Sequence, residues 1–125
     1  MVEIDPRAKK YWKTGINFLG IEAYQDAIEE FTKAINIDNK YVDAYFNRAL
    51  AFCILKDFDS SIKDLLQIID MGGASADVYI LAAKVSVGKK MFNAAKKFFD
   101  VALATNPTEK QKADIDRGIK ELQTE

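Results

Sequence analysis

A step of 34 residues runs through this chain. The stretches AYQDAIEEFTKAINIDN, at 23–39, and MFNAAKKFFDVALATNP, at 91–107, share one pattern: aromatic, Ala, Phe, Ala, then a polar or proline stop. Their leading aromatics, Tyr24 and Phe92, are separated by twice 34 residues, and Phe58 stands halfway between them. Ala27, Ser61 and Ala95 keep the same step, as do Phe31, Leu65 and Phe99, and Ala34, Ile68 and Ala102. Tyr11, Tyr45 and Tyr79 open the units, Gly15, Ala49 and Ala83 follow four residues later, and Asn39, Gly73 and Pro107 close them. A fixed period of this length requires each unit to pack against the next in the same way, which constrains the fold more than any local propensity.

Each unit divides into two helices. The first helices are expected at 6–20, 41–55 and 75–88, and the second at 24–37, 58–71 and 91–105. Asp5-Pro6 is a good start, with an N-cap aspartate before a first-turn proline. Gly20, Gly72-Gly73 and Gly88 are expected stops. Short connections make each pair antiparallel. With two prolines and six glycines in 125 residues, little interrupts a helical chain.

The landmark residues have clear physical roles. Gly15, Ala27, Ala49, Ala83 and Ala95 let helix backbones approach, while Tyr24, Phe31, Phe58, Phe92 and Phe99 fill the space between pairs. One hairpin cannot cover its own apolar face, whereas three stacked hairpins can. In the middle unit Ser61, Leu65 and Ile68 replace small, aromatic and small, so a shrunken Phe site lies beside an enlarged Ala site on one helical face. The last segment, TEKQKADIDRGIKELQTE, differs from the repeats. Thr108 and Gln111 have capping-box spacing. Ile115, Ile119 and Leu122 form one narrow apolar stripe, as expected of a helix that closes a stack and faces water elsewhere.

These landmarks resemble the tetratricopeptide repeat family over residues 8–109. The resemblance divides a single domain, 1–125, into repeat one at 8–41, repeat two at 42–75, repeat three at 76–109 and a capping helix at 110–125. It implies an all-α fold, a right-handed superhelix of three antiparallel helical hairpins with a terminal capping helix. It also implies a concave surface lined mainly by the first helix of each unit.

On that architecture the first unit shows Lys9, Trp12, Lys13, Ile16 and Leu19 to the groove. The second shows Asp43, Phe46, Asn47, Leu50 and Cys53, and the third Asp77, Ile80, Leu81, Lys84 and Val87. An inward wall of Trp12, Ile16, Phe46, Leu50, Ile80 and Leu81 is a large apolar patch of the kind that marks an interaction site. The competing expectation is that curvature, the protein's own ends or a second copy covers it. Trp12 and Phe46 are the expected anchors, since aromatics dominate interface energetics. Asn47 is expected to bond a ligand backbone, and Lys13 and Lys84 to orient an acidic group.

Some members of the family clamp the C-terminal carboxylates of the major heat-shock chaperones with Lys and Asn, then Asn, then Lys and Arg. The landmarks put Trp12, Ile16, Asn47, Asp77 and Leu81 at those places, and only Asn47 agrees. Asp77 has the wrong sign for gripping a carboxylate. Lys13 and Asn17 have the clamp spacing, but each falls one residue late, about 100° around the helix.

Other chemistry has little support. The chain has no histidine and one cysteine, so the commonest general base and metal ligand is absent and no thiol pair exists. Cys53 has no histidine to activate it and reads as a small apolar groove residue in a reducing compartment. The acidic neighbours Asp57 and Asp59, and Glu29 and Glu30, fall on turns or outer faces without a pocket. No glycine-rich loop is followed by Lys and Ser/Thr. Lys89, Lys90, Lys96 and Lys97 read as a solvated face. With 18 basic and 19 acidic residues, nothing calls for nucleic acid or an anionic membrane. The N-terminus lacks an apolar signal core, so a cytoplasmic protein is expected. The expectation is a non-enzymatic interaction module without cofactor, whose partner is a peptide or amphipathic helix of another protein. An adaptor for acidic heat-shock tails and a self-assembling scaffold or homodimer are the alternatives.

Overall fold

The computed structural model describes residues 3–123. Residues 1–2 and 124–125, the outermost positions of the expected domain and of its capping helix, lie outside the described residues. Seven helices follow one another: α1 Pro6–Gly20, α2 Tyr24–Ile37, α3 Val42–Ile54, α4 Phe58–Asp70, α5 Ala76–Gly88, α6 Phe92–Leu103 and α7 Glu109–Gln123. No strand occurs among the described residues. α1 to α6 each fall within one or two residues of their expected bounds.

The hairpins α1–α2, α3–α4 and α5–α6 stack in chain order. α2 packs on α3 and α4 on α5, while α1, α3 and α5 also touch along one side. The core follows the period. Phe31, Leu65 and Phe99 are buried, as are Ala34, Ile68 and Ala102, and Ala27, Ser61 and Ala95. The polar Ser61 is tolerated because its hydroxyl donates to the Ala49 carbonyl at 2.7 Å. Gly15 is needed for close approach: a Cβ there would lie 2.5 Å from Phe31 Cε1. Phe92 departs from its expected filling role and is 37% exposed.

The turns inside the hairpins repeat as well. Ala23, Asp57 and Met91 donate their N–H groups to the carbonyls of Phe18, Phe52 and Ser86 at 2.9, 2.9 and 2.8 Å. This is the Schellman closure, and it needs a left-handed residue just before the donor. Glu22, Lys56 and Lys90 take that conformation with φ of 60°, 64° and 61°. Gly20 and Gly88 therefore end their helices without supplying the left-handed turn. Gly88 instead makes room for Phe58, whose Cζ would lie 2.5 Å from an added Cβ. Gly72, with φ 77°, does act as the expected left-handed stop after α4.

An ion pair unmarked in the sequence ties the second hairpin together. Arg48 donates Nε and Nη2 to Asp64 at 2.8 and 2.7 Å and Nη1 to Thr32 at 3.1 Å. Its guanidinium also lies over the Tyr45 and Phe52 rings. At the start of α1, Asp5 accepts from the Arg7 N–H at 2.8 Å, as its N-cap role requires. At the start of α7, Thr108 N–H donates to Gln111 Oε1 at 2.8 Å and Gln111 N–H to Thr108 Oγ1 at 3.1 Å, completing the capping box.

α7 lies against α6 and also reaches α5. Ile115 is fully buried, with Ile119 and Leu122 packed beside it. Gly118 sits so close to Phe99 that an added Cβ would fall 2.3 Å from the ring.

Candidate peptide-binding groove

Of the expected groove residues, Phe46, Leu50, Ile80, Leu81 and Lys84 line one depression, and Trp12 is bonded to Asn47. Trp12, Ile16 and Leu19 on α1, and Phe46, Asn47 and Leu50 on α3, are half-buried. Lys13 and Lys84 are exposed. Ile80 and Leu81 on α5 retain only 6% and 7% of their surface. The apolar wall is thus most open along α1 and α3, and nearly closed along α5. Burial differs because α5 is packed between the preceding hairpin, its own partner α6 and α7, while α1 begins the stack.

Trp12 and Asn47 are bound to each other. The indole N–H donates to Asn47 Oδ1 at 2.8 Å. An indole nitrogen can only donate, so Asn47 must present its carbonyl oxygen to Trp12 and keep its NH2 for another acceptor. Among the described residues no acceptor takes that NH2. The Trp12 ring also packs on buried Tyr41, with centroids 6.1 Å apart at 39°. Trp12 is therefore a braced wall of the groove rather than a free-swinging anchor.

A depression of about 320 Å³ opens between α3, α5 and α7, lined by Phe46, Leu50, Asp77, Ile80, Leu81, Lys84 and Asp114. A second, of about 260 Å³, continues past it toward the end of α7 over Val87, Phe99, Gly118 and Leu122. Lys84 and Asp114 border both, and the Lys84 ammonium lies 3.0 Å from Asp114 Oδ2. Lys84, expected to orient a ligand's acidic group, is thus already paired. Asp77 is engaged as well, its Oδ1 accepting from Gln111 Nε2 at 2.7 Å. Gln111 caps α7 with one end of its amide and reaches α5 with the other.

Sequence reasoning missed the roles of Gln111 and Asp114 in this groove. Gln111 showed only its capping spacing, and Asp114 stood among the charges of a solvated helix. Neither signals which way α7 is turned. On α1, by contrast, Lys9, Lys10 and Lys13 form no ion pair among the described residues, and with Pro6, Thr14 and Asn17 they line a shallow depression. Cys53 is half-buried at the groove's rim. Burial pushes its thiol up and nearby Lys84 offsets this in part, so it stays protonated and weakly nucleophilic at neutral pH.

Comparison with known proteins agrees with this architecture. A family model described as TPR repeat matches residues 22–53. The chain is 31% identical over 97 residues, 74% of its length, to the DnaJ homolog subfamily C member 7 homolog of Dictyostelium discoideum. It spans 18% of that protein and a quarter or less of several other curated relatives. Among solved structures it resembles the TPR2B domain of yeast Sti1, in a structure described as a complex with pHsp70. That match has a TM-score of 0.89 and 20% identity, and covers 96% of this chain and 98% of the other. The first TPR of Spaghetti (RPAP3), bound to the HSP90 peptide SRMEEVD, gives a TM-score of 0.84 at 19% identity, over 98% and 99% of the two chains. These structural likenesses establish the fold.

Proposed function

We propose that this chain, a protein built of tetratricopeptide repeats, is a non-catalytic interaction module that holds a peptide or helix of a partner protein in its concave groove. Repeats 8–41, 42–75 and 76–109 and the closing helix 110–125 act as one binding unit in the cytoplasm. The observation that carries this reading is the half-open apolar floor of Phe46 and Leu50, in a depression edged by the nearly covered Ile80, beside the braced Trp12. Apolar surface left open in a groove is what a partner's side chains can remove from water. In this reading the spare NH2 of Asn47 donates to a ligand backbone carbonyl. Ile16 and Leu19 extend the apolar floor along α1, and Lys13 supplies a cation at that end.

Affinity capture identifies the partner, and a synthetic copy of its binding segment is then titrated against the emission of Trp12, the chain's one tryptophan. Phe46→Ala and Leu50→Glu are expected to weaken binding by about tenfold or more, a loss of about 1.4 kcal/mol or greater. Binding that survives both substitutions unchanged would refute the groove.

A second reading has one observation in its favour: several similar folds have been solved with heat-shock protein peptides. An adaptor for acidic tails would lose affinity steeply as salt rises, whereas apolar anchoring would not. The paired state of Lys84 and the carboxylate of Asp77 favour the apolar reading.

A further inference from the structure

We propose that Asp114 sets the groove's specificity: by holding Lys84 it closes the α5 end to acidic residues and selects apolar ones there. The inference rests on the groove reading above and names the chemistry of its ligand. Lys84 is the only cation among the inward positions of α3 and α5, which otherwise present Asp43, Asp77 and uncharged residues, while α7 adds Lys110 and Arg117 to the lining of this end, Arg117 lying beside the same Asp114. Asp114 lies 3.0 Å from its ammonium and 3.9 Å from the Arg117 guanidinium. A ligand carboxylate arriving at this end would have to displace Asp114 from Lys84 while facing Asp77. Exchanging one carboxylate for another adds no attraction, and the displaced one adds repulsion.

The opposite end of the groove is different. The inward positions of α1 hold Lys9 and Lys13 and no acidic residue, in a chain whose formal charge is −1. Neither has an ion-pair partner among the described residues. The segment that fits is acidic where it lies along α1 and apolar where it crosses Phe46, Leu50 and Ile80. α7 is held independently of Asp114 by buried Ile115 and by the contact of Gly118 with Phe99. Replacing the carboxylate should therefore leave the helix in place.

Two fluorescein-labelled synthetic decapeptides test this, one of leucine and glutamine and one with every glutamine replaced by glutamate. Asp114→Asn is expected to bind the acidic peptide roughly two- to fivefold tighter than wild type, the scale of one exposed ion pair. It should do so with a steeper salt dependence and an unchanged affinity for the neutral peptide. Adding Lys84→Gln to Asp114→Asn should reduce the gain, and Lys84→Gln alone, which leaves the Asp114 carboxylate without its lysine, should weaken acidic-peptide binding and leave the neutral peptide unchanged. The proposal is overturned if Asp114→Asn gains nothing, if the gain persists undiminished in the double variant, or if Lys84→Gln alone leaves acidic-peptide binding as in wild type. The last arm uses no Asp114 variant, so it decides even if Asp114→Asn melts early. Failure of the neutral peptide to bind wild type counts against the groove reading and leaves the acidic-peptide comparisons intact.

Discussion

Trp12 Nε1 donates to Asn47 Oδ1 at 2.8 Å, joining α1 to α3 across 35 positions of the chain. The bond fixes the orientation of the Asn47 amide and holds the indole against Tyr41, so two groove residues from different hairpins form one rigid unit.

Asn47→Ala should lower stability by about 1 kcal/mol, because the half-buried indole N–H loses its acceptor. Asn47→Asp, which keeps an acceptor, should lose less. Urea denaturation measures the difference, and the Trp12 emission should move to the red in the alanine variant alone as water replaces the amide.

Gly118→Ala should cost about 1–3 kcal/mol, since the new methyl group meets the buried Phe99 ring. Gly20→Ala is the control. No atom lies within 4 Å of its Cβ position, and the residue is helical, so stability should rise by up to about 0.5–1 kcal/mol. Thermal melts of opposite sign confirm the contrast.

Lys56→Gly should stabilise the chain by about 0.5–1 kcal/mol, because Lys56 holds a left-handed φ of 64° that costs a side-chain-bearing residue energy. The equivalent change at Glu22, with φ 60°, should behave alike. A lowered denaturation midpoint in either variant would count against this account of the turns.

Ala34→Ile should destabilise by about 1–3 kcal/mol. The middle unit accepts Ile68 at the equivalent place because Leu65, smaller than phenylalanine, lies beside it. In the first unit Phe31 is full-sized and, like Ala34, fully buried. Adding Phe31→Leu to Ala34→Ile should recover part of the loss, which a double-mutant cycle reads directly.

Stability should fall on the alkaline side. Burial raises the phenols of Tyr41 and Tyr45 above their ordinary 10.0 and the Cys53 thiol above 9.0. The fold therefore favours their protonated forms, and the unfolded chain releases those protons first. The urea midpoint should hold below about pH 8 and drop as pH rises through 9 and 10. A midpoint that stays flat or rises over that range would contradict the assignment.

What the sequence by itself determined was the repeated hairpin. A small residue every 34 positions against a large one sets helix, turn and stacking face together, since each unit meets its neighbours alike. That is why α1 to α6 lie within a residue or two of their expected bounds, and why Phe31, Leu65 and Phe99 share one buried role. The period also gave the expected inward positions on α1, α3 and α5. The tertiary structure alone decided which of them stay open and what holds them. Ile80 and Leu81 are nearly covered, Trp12 is bonded to Asn47, and Lys84 is taken by Asp114. The first two follow from the helices packed round α5 and from the approach of α1 to α3. The last depends on the rotation of α7, which leaves the period and is turned by the fit of Gly118 on Phe99. Contacts of this kind join residues from distant elements, and no spacing along the chain records them.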